Sequence, residues 1–585
     1  MSILFNPGDD VASGDLSLDV RYAVEDLMYA PAEDRGAVFT KPEVSTFLLD
    51  LAGWTVDQRL HARRLLEPSC GDGAILLPAI RRLLECATIA GIAPEDFPAR
   101  LRRCITAVEV HADTVVLLRE QVACLLVEFG VTPRSAGMLA KKWVINSDFL
   151  LWRDCDGEGA PGTGGFDVIV GNPPYLRPEA VAPVLLALYR RRFQRTMRGR
   201  ADLYIPFFEH ALSMLRQGGR KAFICSDRWT KNAYGKSLRQ LIATDYSLAA
   251  FVDMSEAQPF TADVGAYTAV TVIDRRRPVE TFFAHAADCH TASLQSIHDA
   301  FAGHDRPGLQ GGPATRQDSP PGAPWVFVRT AQDDPVMLAR GIEEGFPLIE
   351  QVGCRVGIGV ATGADAVFVG RNQPVEPERQ IKLLLPRDLR GDGGLSWSGN
   401  HVVNPFAAGG GLVPLEDPDS PRFAAFIRAN EERLRARAIA RSRPAQWYRT
   451  IDRIDPGLTA TPKLLIADIK GVAGFSLDRG EFYPLHGIYF ITSDDWPLEH
   501  LQTLIQAGIA QLFVSVYATR IGGGWLRFQA QYLRRIRLPA WSSVKHIVEP
   551  MMEGAGCEPH DLIAAVYGLS GNEALAIAAL AGSRR

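Results

Sequence analysis

The first half of this chain predicts an α/β fold, a doubly wound and mostly parallel sheet, and the second half a mixed α+β domain. Three observations lead there. From about Arg21 to Arg277, short β-branched apolar runs alternate with amphipathic helical stretches, the spacing of βαβ units. From His304 to Pro324 the sequence reads HDRPGLQGGPATRQDSPPGAP, where Gly and Pro stop helix and strand alike. Beyond it the alternation ceases, and short strands, turns and Arg-rich helices take over. We therefore expect a doubly wound domain over residues 1–300, a linker over 301–326, a second domain over 327–545 and a helical tail over 546–585.

Taken in order, Pro42–Ala52 reads as a helix because Pro42 suits a first turn and Val44, Phe47, Leu48 and Leu51 recur at helical spacing. Leu65-Leu66 is a short apolar strand that ends at Pro68. Ala74–Cys86 and Thr114–Phe129 repeat the 3.6-residue apolar pattern, and Ile105–Val108 between them is a strand. Val168–Val170 is a β-branched run halted by Pro173-Pro174. Leu203–Leu215 and Ser237–Ala243 are helical, flanking the strand Lys221–Cys225. Ala249–Asp253 and Thr268–Ile273 complete the set.

The 585 residues allow more than one hydrophobic core, and 47% apolar with 22% charged residues is ordinary for a folded chain. The net charge of -4 points to no polyanionic partner by itself, though it leaves room for a local basic face. Ten Lys stand against 53 Arg, a bias that dilutes the meaning of any one Arg cluster. No apolar run of membrane-spanning length occurs, and Met1–Asp10 lacks the charge and apolar core of a signal peptide, so a cytoplasmic protein without membrane association is expected. Nine scattered Cys without a CxxC pair suggest neither a disulfide framework nor a zinc site, and no metal is expected.

Chemistry concentrates where strands end. Gly171-Asn172-Pro173-Pro174-Tyr175 follows the run Phe166–Val170, and two successive prolines must end the strand in a rigid elbow. There the Asn172 side-chain oxygen and the Pro173 carbonyl can accept both N–H groups of a planar exocyclic amine, while Tyr175 stacks on its heterocycle. Leu65-Leu66-Glu67-Pro68-Ser69-Cys70-Gly71-Asp72-Gly73 is a strand followed by a glycine turn that lets backbone approach a ligand, with Glu67 suited to a cationic or hydroxylated group. Glu109 ends Ile105–Val110, where an acid can take two ribose hydroxyls. Asp148-Phe149 follows Trp143–Asn146, a carboxylate for an adenine amino group beside a phenyl face.

In this order the motifs resemble those of the S-adenosylmethionine-dependent DNA adenine-N6 methyltransferases. Glu67–Gly73 and Asn172–Tyr175 look like that family's cofactor and catalytic motifs, and Gly36–Val44 looks like its upstream motif, with Lys41 as a departure. The order is that of the gamma arrangement of Taq-type enzymes in type II restriction-modification systems. The likeness covers about residues 20–280, including Ala201–Ile205, Gly218–Ile224 and Tyr234–Arg239, and is looser in Val356–Asp365, Tyr483–Tyr489 and Gly524–Arg534.

The resemblance implies a Rossmann-like methyltransferase domain and a C-terminal target-recognition domain. S-adenosylmethionine would be bordered by Thr40 and Pro42, cradled by Glu67, Pro68, Cys70, Gly71 and Gly73, held at its ribose by Glu109 and at its adenine by Asp148 and Phe149, with Asn172 at the boundary. Asn172, Pro173, Pro174 and Tyr175 would hold an adenine flipped out of duplex DNA. Phe260 is the candidate for its second face and Tyr267 the reserve. DNA contacts, to phosphates or to base edges, are expected from Arg190, Arg191, Arg192, Arg195 and Arg198 in the first half and from Arg441, Arg443, Arg527 and Arg534 in the second.

The implied protein is a prokaryotic, nucleoid-associated monomer on DNA, with a separate cognate endonuclease as a possible partner. A fused nuclease is not expected, since only 34 residues precede Arg35. Glutamine-N5 and rRNA N-methyltransferases use the same Asn-Pro-Pro-Tyr chemistry and stand as alternatives, as does a catalytically silent DNA-binding subunit.

Overall fold

The computed structural model describes residues 18–32, 35–153, 165–262, 268–276, 281–304, 322, 324–325, 335–390, 393–518, 520–521, 525–553 and 556–582. Contacts divide the chain into two units, Met1–Thr330 and Ala331–Arg585.

Among the described residues of the first unit, eight strands form one sheet: β1 (Leu65–Glu67), β2 (Ile105–Glu109), β3 (Val144–Asn146), β4 (Phe166–Gly171), β5 (Leu215–Ser226), β6 (Ser247–Asp253), β7 (Thr268–Asp274) and β8 (Phe282–His285), in the order β3-β2-β1-β4-β5-β7-β6-β8. The first five run parallel, β7 lies antiparallel between β5 and β6, and β8 rejoins parallel to β6. This is the doubly wound, mostly parallel α/β fold. Strands buried on both faces need continuous apolar runs, and β4 is buried at every position. Helices Leu76–Ile89 and Ala112–Glu128 cover one face, with Leu83, Leu84, Leu118 and Val122 fully buried. On the other face Tyr204–Met214 buries Phe207 and Phe208.

The order of the sheet places the site. The carboxyl ends of the neighbours β3, β2, β1 and β4 lead directly into Asp148, Glu109, the Pro68–Gly73 turn and Asn172. Four motifs dispersed over more than a hundred positions thus meet along one sheet edge, where ligands of such folds bind.

Three expectations need adjustment. The strand expected over Lys221–Cys225 is longer: β5 runs twelve residues through Gly218-Gly219, with a register shift opposite Phe166 and Val168. The expected linker is partly structured. Residues 301–304 finish a helix, and Trp325 packs edge-on to Trp229 at 5.4 Å while its N–H donates to the Thr230 carbonyl. Arg239 donates to the Gly322 carbonyl at 2.9 Å, so this end of the segment is part of the first unit, while 305–321 lie outside the described residues. Trp325→Ala in the full chain is expected to lower the stability of this unit by about 1–3 kcal/mol. A urea midpoint unchanged from wild type would show that the contact contributes nothing.

The second unit is mixed α+β. One four-stranded antiparallel sheet orders Ser476–Asp478, Lys463–Ala467, Ile488–Ser493 and Cys354–Ile358. The expected C-terminal tail belongs to this unit. Tyr567 stacks edge-on to Phe346 at 4.9 Å and donates to the Arg537 carbonyl, and Ile577 backbone lies against Gly508. Among the described residues no helix is long and apolar enough to cross a membrane.

Candidate functional site

At the carboxyl edge of the parallel strands lies an open pocket of about 970 Å³, the solvent at its mouth included. Of the sequence-predicted residues it is lined by Thr40, Glu67, Pro68, Cys70, Gly71, Glu109, Asp148, Phe149, Asn172 and Pro174. Pro42 and Gly73 stand behind the wall. Pro42 opens the helix Pro42–Leu51, and Gly73, at φ +88°, has Leu118 where a Cβ would sit. Its N–H closes the turn on the Cys70 carbonyl at 2.9 Å.

Glu109 organises the floor. Its Oε2 accepts from the Gly71 N–H at 2.9 Å, and its Oε1 accepts from the His111 N–H at 2.9 Å and from Arg35 at 3.4 Å. Arg35 is the single cation among the described lining residues, facing Glu67, Asp72, Glu109 and Asp148. Burial pulls the Arg35 guanidinium down, against the pull of Glu109 upward. Glu67 is fully buried, and its Oε2 has no hydrogen-bond partner. Burial first, then the charges of Asp72 and Glu109, push its carboxyl well above the usual range. An unpartnered acid in an acid-rich pocket calls for a ligand with cationic and hydroxyl groups.

Asp148 accepts from the Leu150 N–H at 2.8 Å and from the Tyr189 hydroxyl. Burial raises its carboxyl despite these bonds. The Phe149 ring packs on Phe207 at 5.2 Å and His210 at 4.7 Å. Burial, then Arg192, takes the His210 imidazole down to about 4, keeping this wall apolar and neutral.

Asn172 closes the far side. Its Nδ2 donates to the Val38 carbonyl at 2.8 Å and to Thr40 Oγ1 at 3.3 Å, and its own carbonyl accepts from Ser69 Oγ at 3.1 Å. Its Oδ1 is buried with no hydrogen-bond partner. Pro173, Tyr175 and Phe260 do not line the cavity. The Tyr175 and Phe260 rings meet edge-on, 5.8 Å apart at 78°. Tyr267 lies outside the described residues.

The arginines divide into free and occupied. Arg191, Arg441 and Arg443 are exposed, and Arg190 and Arg198, also exposed, donate only to the nearby Gly199 and Gln194 carbonyls. Arg192 is turned inward, donating to the carbonyls of Leu151 at 2.9 Å and Trp152 at 3.2 Å. Arg195 pairs with Asp245, Arg527 with Asp468, and Arg534 with Glu350. Arg437, near Arg441 and Arg443 in sequence, is a hub that donates to the Thr362, Leu434, Trp447 and Arg449 carbonyls. Sequence reading missed Arg35, Tyr189 and Phe207 as pocket residues. Tyr189 heads the run of arginines, which drew attention to charge rather than to the buried ring.

Residues 136–260 match the Eco57I restriction-modification methylase family. Over 527 residues the chain is 45% identical to the type II methyltransferase M.PaeR7I of Pseudomonas aeruginosa, covering 88% of this chain and 87% of that one. The chain belongs to the type II methyltransferases. To M.XhoI of Xanthomonas vasicola it is 42% identical over 531 residues, 89% of this chain and 94% of the relative. A solved structure of the type IIL restriction-modification enzyme MmeI in complex with DNA shares the fold of this type II methyltransferase. The TM-score is 0.52 at 12% identity, covering 93% of this chain and 73% of that one.

Among the described residues this type II methyltransferase has no cluster of three or more His, Cys, Asp or Glu placed to hold a metal ion. The pocket combines buried acids with the Phe149 ring, a set that suits a ligand with cationic, hydroxyl and heterocyclic groups, as S-adenosylmethionine has.

Proposed function

We propose that the chain transfers the methyl group of S-adenosylmethionine to the N6 amine of an adenine flipped out of duplex DNA, as the modification component of a restriction-modification system. The observation that carries this reading is the Asn172 amide: both Nδ2 hydrogens are engaged, and Oδ1 is buried without a partner. A buried acceptor so held costs free energy unless a donor arrives, and an exocyclic amine is such a donor.

The cofactor, when bound, supplies an activated methyl on a sulfonium. The protein has then to orient the amine and localise its lone pair. Asn172 Oδ1 and the Pro173 carbonyl accept the two amine hydrogens, which draws the nitrogen toward tetrahedral geometry and directs its lone pair at the methyl. The proton leaves after transfer, so no strong base has to stand beside the nitrogen. Placement supplies most of the rate. Glu67, Glu109 and Asp148 hold the donor side, and the Gly71 turn permits close backbone approach.

The Tyr175 and Phe260 rings stand too close for a base to slide between them, since two stacking distances require about 7 Å. Entry of the base therefore turns these rings from edge-on to parallel.

The test is nucleoside mass spectrometry of DNA from cells expressing the chain against cells expressing Asn172→Ala. N6-methyladenine present only with the wild type is expected. N4-methylcytosine in its place would overturn the choice of base. Methylation confined to protein or ribosomal RNA would overturn DNA as the substrate.

A further inference from the structure

Residues 35–41 touch Glu109, Asn172, Tyr175 and the loop that carries Phe260. Arg35 reaches Glu109 at one end of the segment. The Tyr175 N–H donates to the Gly36 carbonyl at 3.0 Å, and Gly36, at φ +63°, would place a Cβ 2.8 Å from the Tyr175 carbonyl carbon. Val38 and Thr40 hold the Asn172 amide. Thr40 also forms an antiparallel bridge with Phe260: the Lys41 N–H donates to the Pro259 carbonyl and the Thr261 N–H to the Phe39 carbonyl, each at 3.0 Å. The same segment lines the cofactor cavity.

We propose that this segment is a strap coupling the cofactor pocket to the target-base pocket, and that Thr40 is a positioning residue for Asn172. An amide can be flipped by 180° at small cost unless its surroundings distinguish oxygen from nitrogen. Here the Val38 carbonyl, which can only accept, does so, and the Thr40 hydroxyl takes the second Nδ2 hydrogen and fixes the plane of the amide. With it, Oδ1 has one orientation, toward the amine it is to accept. The backbone of the same residue fixes the loop that carries Phe260, so a cofactor that steadies the strap steadies both faces of the base site. Coupling of this kind is reciprocal, and bound DNA should tighten the cofactor by the same factor.

The proposal rests on Asn172 as the acceptor of the target amine, and the experiment separates the two claims. Wild type, Thr40→Val and Thr40→Ser are compared as full chains for incorporation of labelled methyl into unmodified DNA and for the Kd of S-adenosylmethionine. Thr40→Val keeps shape and removes the acceptor. It is expected to lower kcat roughly tenfold or more with Kd within about threefold, and Thr40→Ser is expected to restore kcat. Loss expressed wholly in Kd, or Thr40→Val equal to wild type, overturns the positioning role.

Hydrogen exchange of wild type with and without S-adenosylmethionine tests the strap itself. Slower exchange in the 257–261 segment on binding is expected, and unchanged exchange there overturns the coupling. If the wild type labels no DNA, the reading of Asn172 fails, while the exchange measurement still decides the coupling.

Discussion

Asn172→Ala is expected to reduce methyl transfer by at least 10²–10³-fold, the scale seen when an aligned hydrogen-bonding group is removed from a reacting centre. Cofactor binding should change little, because Asn172 contributes one edge of a cavity whose floor and opposite wall are Glu67, Glu109 and Asp148. Truncation removes a buried, unengaged acceptor, and leaves the Val38 carbonyl and Thr40 hydroxyl without their donor. Asn172→Asp is the sharper substitution. It keeps an acceptor toward the amine but sets a second oxygen against the Val38 carbonyl, so it too should be severely impaired. Single-turnover transfer alongside calorimetric cofactor titration checks both, and an active Asn172→Ala would remove Asn172 from the chemistry.

Glu109→Ala is expected to weaken S-adenosylmethionine roughly 100-fold, about 2.7 kcal/mol. Two effects combine. The acceptor proposed for the ribose is removed, and the Gly71 and His111 N–H groups lose theirs. Glu109→Gln tests whether shape is enough. Each carboxylate oxygen accepts from a different backbone N–H, so a side chain with one oxygen and one NH2 must set a donor against a donor. A loss close to that of alanine is expected. A Glu109→Gln protein that binds cofactor like wild type would show that neither charge nor the paired geometry matters.

Much of this was legible before any coordinates. β1 and β4 are apolar runs halted by Pro68 and by Gly171 with Pro173-Pro174, β2 is one that closes on Glu109, and a polar side chain stands at the end of each. What stayed hidden has physical reasons. β3 is three residues long, too short for any periodicity, and the helix Pro133–Trp143 before it mixes Arg, Lys and Gly with its apolar positions. Gly218-Gly219 reads as a breaker, yet in a strand whose register shifts, small residues let the backbone pass a neighbour, here the Phe166 carbonyl. Arg35 and Arg437 look from sequence like any other arginine in an Arg-rich chain. Only burial and partners separate a carboxylate's counter-ion or a carbonyl hub from a solvated surface charge.

The helix Pro183–Arg192 carries a lesson for anyone wishing to tune this enzyme. Tyr189 and Arg192, three positions apart and so on the same side, are fastened to Asp148 and to the Leu151 and Trp152 carbonyls; Arg190 and Arg191 face solvent. One helix therefore has an inherited side and an adjustable side. If Arg190 and Arg191 track DNA phosphates as proposed, a library varied at these two positions alone can be selected for weaker or stronger grip at a chosen ionic strength without touching the residues fastened to Asp148, Leu151 and Trp152. One varied at 189 or 192 would confound the two properties in every clone.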